Sequence, residues 1–310
     1  MNHQFRNELE LIAGAGSILY DEPMRLHTTF RIGGTADIFV TPQNEERFAA
    51  AVRLCRQHAV PYYVIGNGSN LLVADRGIRG VVFQIYHTMD DVSFEDNKDG
   101  TVTVTAGAGI MLSKLARTAA EHGLTGLEFA SGIPGTFGGA MTMNAGAYGG
   151  EMSQCAVSAR VMDCEGNTME LKQEALALGY RTSIFQQRHL IVLSASLLLK
   201  KGDTQKILEK MDDLNSQRRE KQPLEYPSAG STFKRPEGYF AGKLIHEAGM
   251  RGFCVGDACV SEKHSGFVIN KGEATAEDVR RLIKAVQDKV MEQFGVALEM
   301  EVKMLGEFED

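Results

Sequence analysis

The sequence contains no tryptophan, only seven prolines, and nowhere an apolar run of the roughly 20 residues that a membrane helix requires. No membrane insertion is expected. The stretch Met1–Leu11 mixes Arg6, Glu8 and Glu10 into its apolar residues, unlike a secretory leader, so a cytoplasmic location is expected. Positive charge is not in excess: 33 Lys and Arg face 40 Asp and Glu, a formal net charge of -7. That balance argues against a grip on nucleic acid or anionic membrane, since both need a basic surface that releases counterions. The basic run Gln217–Lys221 is therefore read as local. Cys55, Cys155, Cys164, Cys254 and Cys259 are odd in number, scattered and without a CxxC pair, so neither a disulfide framework nor a zinc site is expected. Reduced thiols fit a cytosol. His246-Glu247 lacks the second histidine of HExxH, and no catalytic metal is expected.

What remains is globular composition, 43% hydrophobic with 24% charged residues, over 310 residues. This is too long for one ordinary core, and more than one domain is expected. Ala36–Val40 reads as a strand, Glu45–Ala59 as a helix with Phe48, Val52 and Cys55 at helical spacing, and Tyr62–Ile65 as a second strand. Strand-like alternation follows at Thr101–Thr105, then a helix around Ser113–His122 closed by Gly123. Gly132–Gly150 holds seven glycines in 19 residues, several times average usage, and reads as a loop that approaches something closely. Ala156–Asp163 and Leu190–Leu199 read as strands, and Thr204–Gln222 as a helix leading into a new unit. In that unit a helix near Ala241–Ala248 precedes another from Thr275, capped by Thr275 with Asp278, carrying Val279, Leu282, Ile283, Val286, Val290 and Phe294 and stopped by Gly295. A last strand, Leu298–Leu305, alternates apolar residues against Glu299, Glu301 and Lys303.

Two glycine-dense segments are candidates for chemistry. Gly66-Asn67-Gly68-Ser69-Asn70 follows a strand, and its glycines let successive N–H groups turn inward as an anion nest suited to a pyrophosphate. The dinucleotide fingerprint is incomplete, with Leu71 in place of the third glycine, so a Rossmann domain is disfavoured. Alone, this segment reads equally well as a tight turn. The second, Ser131-Gly132-Ile133-Pro134-Gly135-Thr136-Phe137-Gly138-Gly139, strengthens the cofactor reading, because two such loops can flank one long cofactor. Neither carries a Walker lysine. Arg181, in Tyr180-Arg181-Thr182-Ser183 just before a strand, offers a planar fork to a carboxylate, though in isolation it reads as a surface arginine. Ser231, in Ala229–Lys234, has no GxSxG elbow and in isolation is a loop serine. Glu301 would by default be solvated, and His264 would be a loop hydrogen-bonder.

Together with His27–Gly34, Asn144-Ala145-Gly146-Ala147 and Leu298–Val302, these segments resemble the UDP-N-acetylenolpyruvoylglucosamine reductase family from about Arg25 to Gly306. The resemblance implies an α+β fold. A two-part FAD-binding region of the vanillyl-alcohol-oxidase (PCMH) type would occupy residues 1–200, with its core at about 31–196. A smaller α+β substrate-binding domain would occupy 201–310. It implies FAD and NADPH as cofactors and a UDP-sugar as substrate. Arg181, Ser231 and Glu301 would be the catalytic set. Gly66, Asn67, Gly68, Ser69, Asn70, Ser131, Gly132, Ile133, Pro134 and Gly138 would hold the flavin, and Tyr180 and Lys221 the substrate. With no spare insertion in the last third, the chain resembles the shorter form without the tyrosine loop. A monomer is the working expectation. Two other readings stay open: an oxidase or dehydrogenase of the same flavin-binding class acting on an alcohol or sugar lactone, and a flavin-binding module without catalysis.

Overall fold

The computed structural model describes residues 3–14 and 16–308. It divides into two compact units, each made of separate stretches of chain. The first comprises Met1–Tyr20, Ile38–Asn67 and Gly80–Arg218; the second comprises Asp21–Asp37, Gly68–Arg79 and Arg219–Asp310. This differs from a single cut at 200/201, and burial explains why. Ile207 and Met211 of the helix Thr204–Lys221 are buried in the first unit's core. Phe30, Ile32 and Leu72, from early in the chain, are buried in the second unit's core with Ala229, Val260 and Val286. Apolar side chains follow the core that removes them from water, at about 25 cal/mol per Å².

In the first unit the helix Glu45–Gln57 starts at Asn44, whose side chain accepts the Arg47 N–H at 2.9 Å, and it buries Phe48, Val52 and Cys55. The helix returns the chain to Tyr62–Ile65, which pairs in parallel with residues 81–84 of the strand Ile78–Gln84. These strands join Ile18–Pro23 and Thr35–Val40 in a four-stranded sheet, with Ile78–Gln84 lying between Thr35–Val40 and Tyr62–Ile65. A six-stranded antiparallel sheet follows. Its order is Thr168–Lys172, Ala156–Met162, Ile191–Lys201, Thr101–Gly107 and Val92–Asp96, with Leu124–Thr125 paired to Ile191–Lys201. The alternation expected at Thr101–Thr105 extends to Gly107, with Val102, Val104 and Ala106 buried.

The second unit is built on an antiparallel sheet ordered Ser228–Ser231, Phe267–Asn270, Ala258–Val260 and Cys254–Val255. The helix Ala276–Phe294 buries Val279, Leu282, Ile283, Val286 and Val290; Thr275 and Asp278 form the expected capping box, and Gly295 ends it in the left-handed region. The α+β class is as expected, and both halves mix helix and strand.

Four local expectations are corrected. The segment Gly132–Gly150 is not all loop: Phe137–Met143 is a helix, because Thr136 caps it and Gly138 allows close packing against Ala108. Arg181 does not lead straight into a strand, since the helical turn Ile184–Gln187, capped by Ser183, comes first. The last strand is only Lys303–Leu305, paired in parallel with Leu71–Val73, while Met300 makes an isolated bridge to Phe233. Finally, Cys254 and Cys259 are not two separate thiols. The hairpin sets them directly opposite each other, with Cα atoms 4.1 Å apart, and they form a disulfide. Spacing along the chain did not reveal this because the pairing depends on the register of the hairpin. Cys55 and Cys155 stay free and buried, and burial pushes each thiol up to about 12.

Candidate active site

In the first unit Gly66 and Asn67, which begin the one glycine segment, meet the other. Gly66 is pressed against Thr136, and a Cβ at that position would collide with the threonine hydroxyl. The Asn67 side chain donates to the Pro134 carbonyl at 2.6 Å, and Gln84 donates to the Gly66 carbonyl at 3.1 Å. Gly68, Ser69 and Asn70 belong to the second unit. There Gly68 adopts φ 62°, a Cβ on it would meet the His27 backbone, and its carbonyl accepts the Thr29 N–H. Asn70 donates to the Glu301 carbonyl at 3.2 Å. Among the described residues, the backbone N–H groups of Asn67, Gly68, Ser69 and Asn70 find no protein acceptor. Backbone donors left without a protein acceptor are what a diphosphate needs, so Gly68, Ser69 and Asn70 fit the flavin dinucleotide that the resemblance implies.

The segment from Ser131 to Gly138 is held on both sides. Ser131 donates to the Asn215 side chain at 3.4 Å, and a Cβ at Gly132 would lie 2.7 Å from Asn215 Oδ1 and 2.9 Å from Arg218 Cδ. Ile133 packs against the first unit's core. The Gly138 N–H donates to the Ala108 carbonyl at 2.9 Å, so part of the need for glycine there is packing. Arg218 is half-buried, and burial lowers its guanidinium below its ordinary range, against an opposing effect of Tyr148. A basic run gave no sign that one of its arginines turns inward beside the glycine loop. Thr136, Asn215 and Arg218 are thus site residues that sequence reasoning missed. A helical register linking 211, 215 and 218 was the available signal.

Arg181 stands at the tip of a four-residue turn closed by reciprocal bonds between Gly179 and Thr182, at 3.1 and 3.2 Å. Its backbone has φ 55°, a left-handed conformation that costs a bulky residue about 1–3 kcal/mol and persists only where the surroundings enforce it. Its guanidinium reaches the carbonyls of Asn144 (3.5 Å) and Gly146 (3.3 Å) and lies over the exposed Tyr180 ring, 5.1 Å from its centre.

In the second unit Ser231 ends the strand Ser228–Ser231 and is exposed, and the bulge around Gly230 shifts the pairing with Phe267–Asn270. The next residue, Thr232, is buried. Its N–H donates to the Gly266 carbonyl at 2.8 Å, and its hydroxyl accepts the Val268 N–H at 2.9 Å. The Glu301 N–H donates to the Thr232 carbonyl and the Lys234 N–H to the Glu299 carbonyl, both at 2.8 Å. Glu301, 70 positions from Ser231 in sequence, is thereby bonded to Thr232, the residue that follows Ser231. Lys221 is the exposed last residue of its helix. Arg181 and Tyr180 belong to the first unit; Ser231, Glu301 and Lys221 belong to the second.

Two family models match separate parts of the chain. Residues 36–172 match the model of an FAD binding domain, and residues 222–305 match the C-terminal domain of UDP-N-acetylenolpyruvoylglucosamine reductase. A UDP-N-acetylenolpyruvoylglucosamine reductase of Lachnoclostridium phytofermentans is 52% identical over 99% of this chain and 99% of its own length. One from Clostridium botulinum is 51% identical over 98% of this chain and 99% of its own. The crystal structure of UDP-N-acetylenolpyruvylglucosamine reductase from Thermus caldophilus superposes with a TM-score of 0.75 at 34% identity, covering 93% of this chain and 98% of that one. With both segments matched and identity above one half from end to end, the chain belongs to the UDP-N-acetylenolpyruvoylglucosamine reductase family.

Proposed function

We propose that the protein reduces the enolpyruvyl double bond of UDP-N-acetylglucosamine enolpyruvate, giving UDP-N-acetylmuramate for peptidoglycan synthesis. The observation that carries this reading is identity of 52% to a reductase of that name along 99% of both chains. It is supported by the backbone N–H groups of Gly68, Ser69 and Asn70, for which no protein acceptor is present among the described residues. Gly66–Asn70 and Ser131–Gly138 would hold FAD, which would supply the hydride drawn from NADPH. The chain's own residues then have to manage charge and a proton. Hydride arriving at the methylene carbon pushes the electron pair of the double bond onto the neighbouring carbon and its carboxylate. Arg181 neutralises that charge, and Glu301 orients the reacting group; one well-placed electrostatic partner is typically worth about 3–4 kcal/mol. The Ser231 hydroxyl supplies the proton that ends on the carbanionic carbon, an acceptor basic enough to take it. Tyr180 and Lys221 bind the substrate. In this reading residues 1–200 chiefly bind the flavin and 201–310 the substrate, although Asp21–Asp37 and Gly68–Arg79 are built into the second unit.

No helix among the described residues is long and apolar enough to cross a membrane. We read the enzyme as a cytoplasmic monomer of the shorter form, serving cell wall biogenesis and through it cell shape and division. Separate measurement of the two half-reactions tests the assignment. In Ser231→Ala, bleaching of the flavin by NADPH should keep its rate, while reoxidation by substrate slows by about three orders of magnitude. Equal loss in both halves would remove Ser231 from the proton-donor role.

A further inference from the structure

Arg181 holds a conformation that its own side chain does not favour, and two buried or half-buried amides account for it. Asn144 has no exposed surface and sits in the left-handed region at φ 42°, ending the helix Phe137–Met143. Its Nδ2 donates to the Gly179 carbonyl at 3.0 Å, at the base of the turn that bears Arg181. Its Oδ1 accepts the Ser153 N–H at 2.9 Å, and its own carbonyl receives the Arg181 guanidinium. Gln186 works from the other side: its single Nε2 donates to the Thr142 carbonyl at 2.8 Å and to the Arg181 carbonyl at 3.2 Å. Ser183, fully buried, donates to the same Thr142 carbonyl at 2.6 Å. The end of one helix is thus tied to both the base and the tip of the turn, and every tie lies within the first unit.

We infer that Asn144 and Gln186 are positioning residues for Arg181, fixing the left-handed backbone from which the guanidinium is presented. The inference rests on the proposed role of Arg181 in the second half-reaction. A neutral amide suits the task better than a charged group: it can donate to carbonyls without neutralising or competing with the arginine's charge. Loss of one tie frees the turn to relax toward ordinary backbone angles, and a guanidinium displaced by about 1 Å forfeits about 100-fold in rate.

The test is a double-mutant cycle on the purified flavoenzyme. Gln186→Met, which keeps length and removes both donors, should slow flavin reoxidation by substrate about 100-fold, with NADPH-driven reduction and FAD retention unchanged. In an Arg181→Ala background the same substitution should add no further slowing. Asn144→Ala should repeat the pattern, but its side chain is fully buried, so Gln186→Met carries the result if Asn144→Ala does not fold. Additive slowing in the cycle, or equal slowing of both half-reactions, would overturn the inference. Wild-type reoxidation in Gln186→Met alongside slow reoxidation in Arg181→Ala would overturn it alone. Wild-type reoxidation in Arg181→Ala would remove the catalytic reading of that arginine, and this inference with it.

Discussion

The two units hold their functional side chains by different means. In the first, Gly66, Gly132 and Arg181 sit in irregular backbone, where a missing Cβ or a left-handed φ makes the shape possible and side-chain amides such as Asn67, Asn144 and Gln186 lock it. In the second, Ser231 and Glu301 are set by a ladder, through the Phe233–Met300 bridge and the bonds of Thr232 and Lys234. Irregular backbone can curl around a phosphate but tolerates no added atoms. A ladder tolerates side-chain change but fails when a rung loses its partner. The two units should therefore fail differently when perturbed.

The largest effect is expected where an atom is added. In Gly66→Val the new side chain would collide with Thr136, which is 2% exposed and caps the helix Phe137–Met143, so it has nowhere to retreat. The loops 66–67 and 134–136 must separate. FAD affinity should fall by about 100-fold or more, equivalent to about 2.7 kcal/mol. Fluorescence titration of the apoprotein with FAD measures it; undiminished affinity would show that these glycines serve turning alone.

An intermediate effect is expected where a rung is removed. Thr232→Val keeps shape but deprives the Val268 N–H, buried in the second unit, of its acceptor. A buried donor left unsatisfied costs about 1–3 kcal/mol. Denaturant unfolding should register that loss, while flavin affinity stays within about twofold of wild type, a difference of about 0.4 kcal/mol. A variant that keeps its stability but sheds FAD would invert the contrast between the units.

The same contrast explains what the sequence made legible. Repeating elements announced themselves: the capping box at Thr275, the apolar face from Val279 to Val290 and the alternation from Val102 all depend on periods of 3.6 or 2. The glycine segments were visible as composition, but not the helix inside the second one, because its N-terminal turn contains glycines, of which Gly138 packs on Ala108. Arg181, Ser231 and Glu301 were reached only through family resemblance, since an arginine, a serine and a glutamate carry no chemistry in isolation. Residues that act by where the chain returns stayed silent. Thr136, Gln186 and Arg218 gain meaning only once Gly66, the Arg181 turn and Gly132 are brought to them, and the Cys254–Cys259 pair only once the hairpin register is set.

The smallest expected effect is one of pH, and it belongs to the ladder-built unit. His264 Nδ1 accepts the Gly266 N–H at 3.1 Å, and the ring meets Phe267 edge-on with centres 4.9 Å apart. Burial lowers the imidazole below its ordinary range, so the folded protein keeps it neutral where the unfolded chain would take up a proton. The unfolded state then binds more protons in the interval below about pH 6.5, and stability must rise with pH across it. The contribution is complete above about pH 6.5 and is lost as pH falls through the folded value, when protonation also expels the Gly266 N–H from Nδ1. Denaturant midpoints taken at about pH 7.5 and about pH 5.5 should therefore show a drop that His264→Asn reduces, because an amide oxygen can accept the same bond without titrating. If the drop is undiminished in that variant, acid sensitivity arises elsewhere, and the turn of 264–266 is held by its backbone bonds and the Ser261 hydroxyl rather than by the ring.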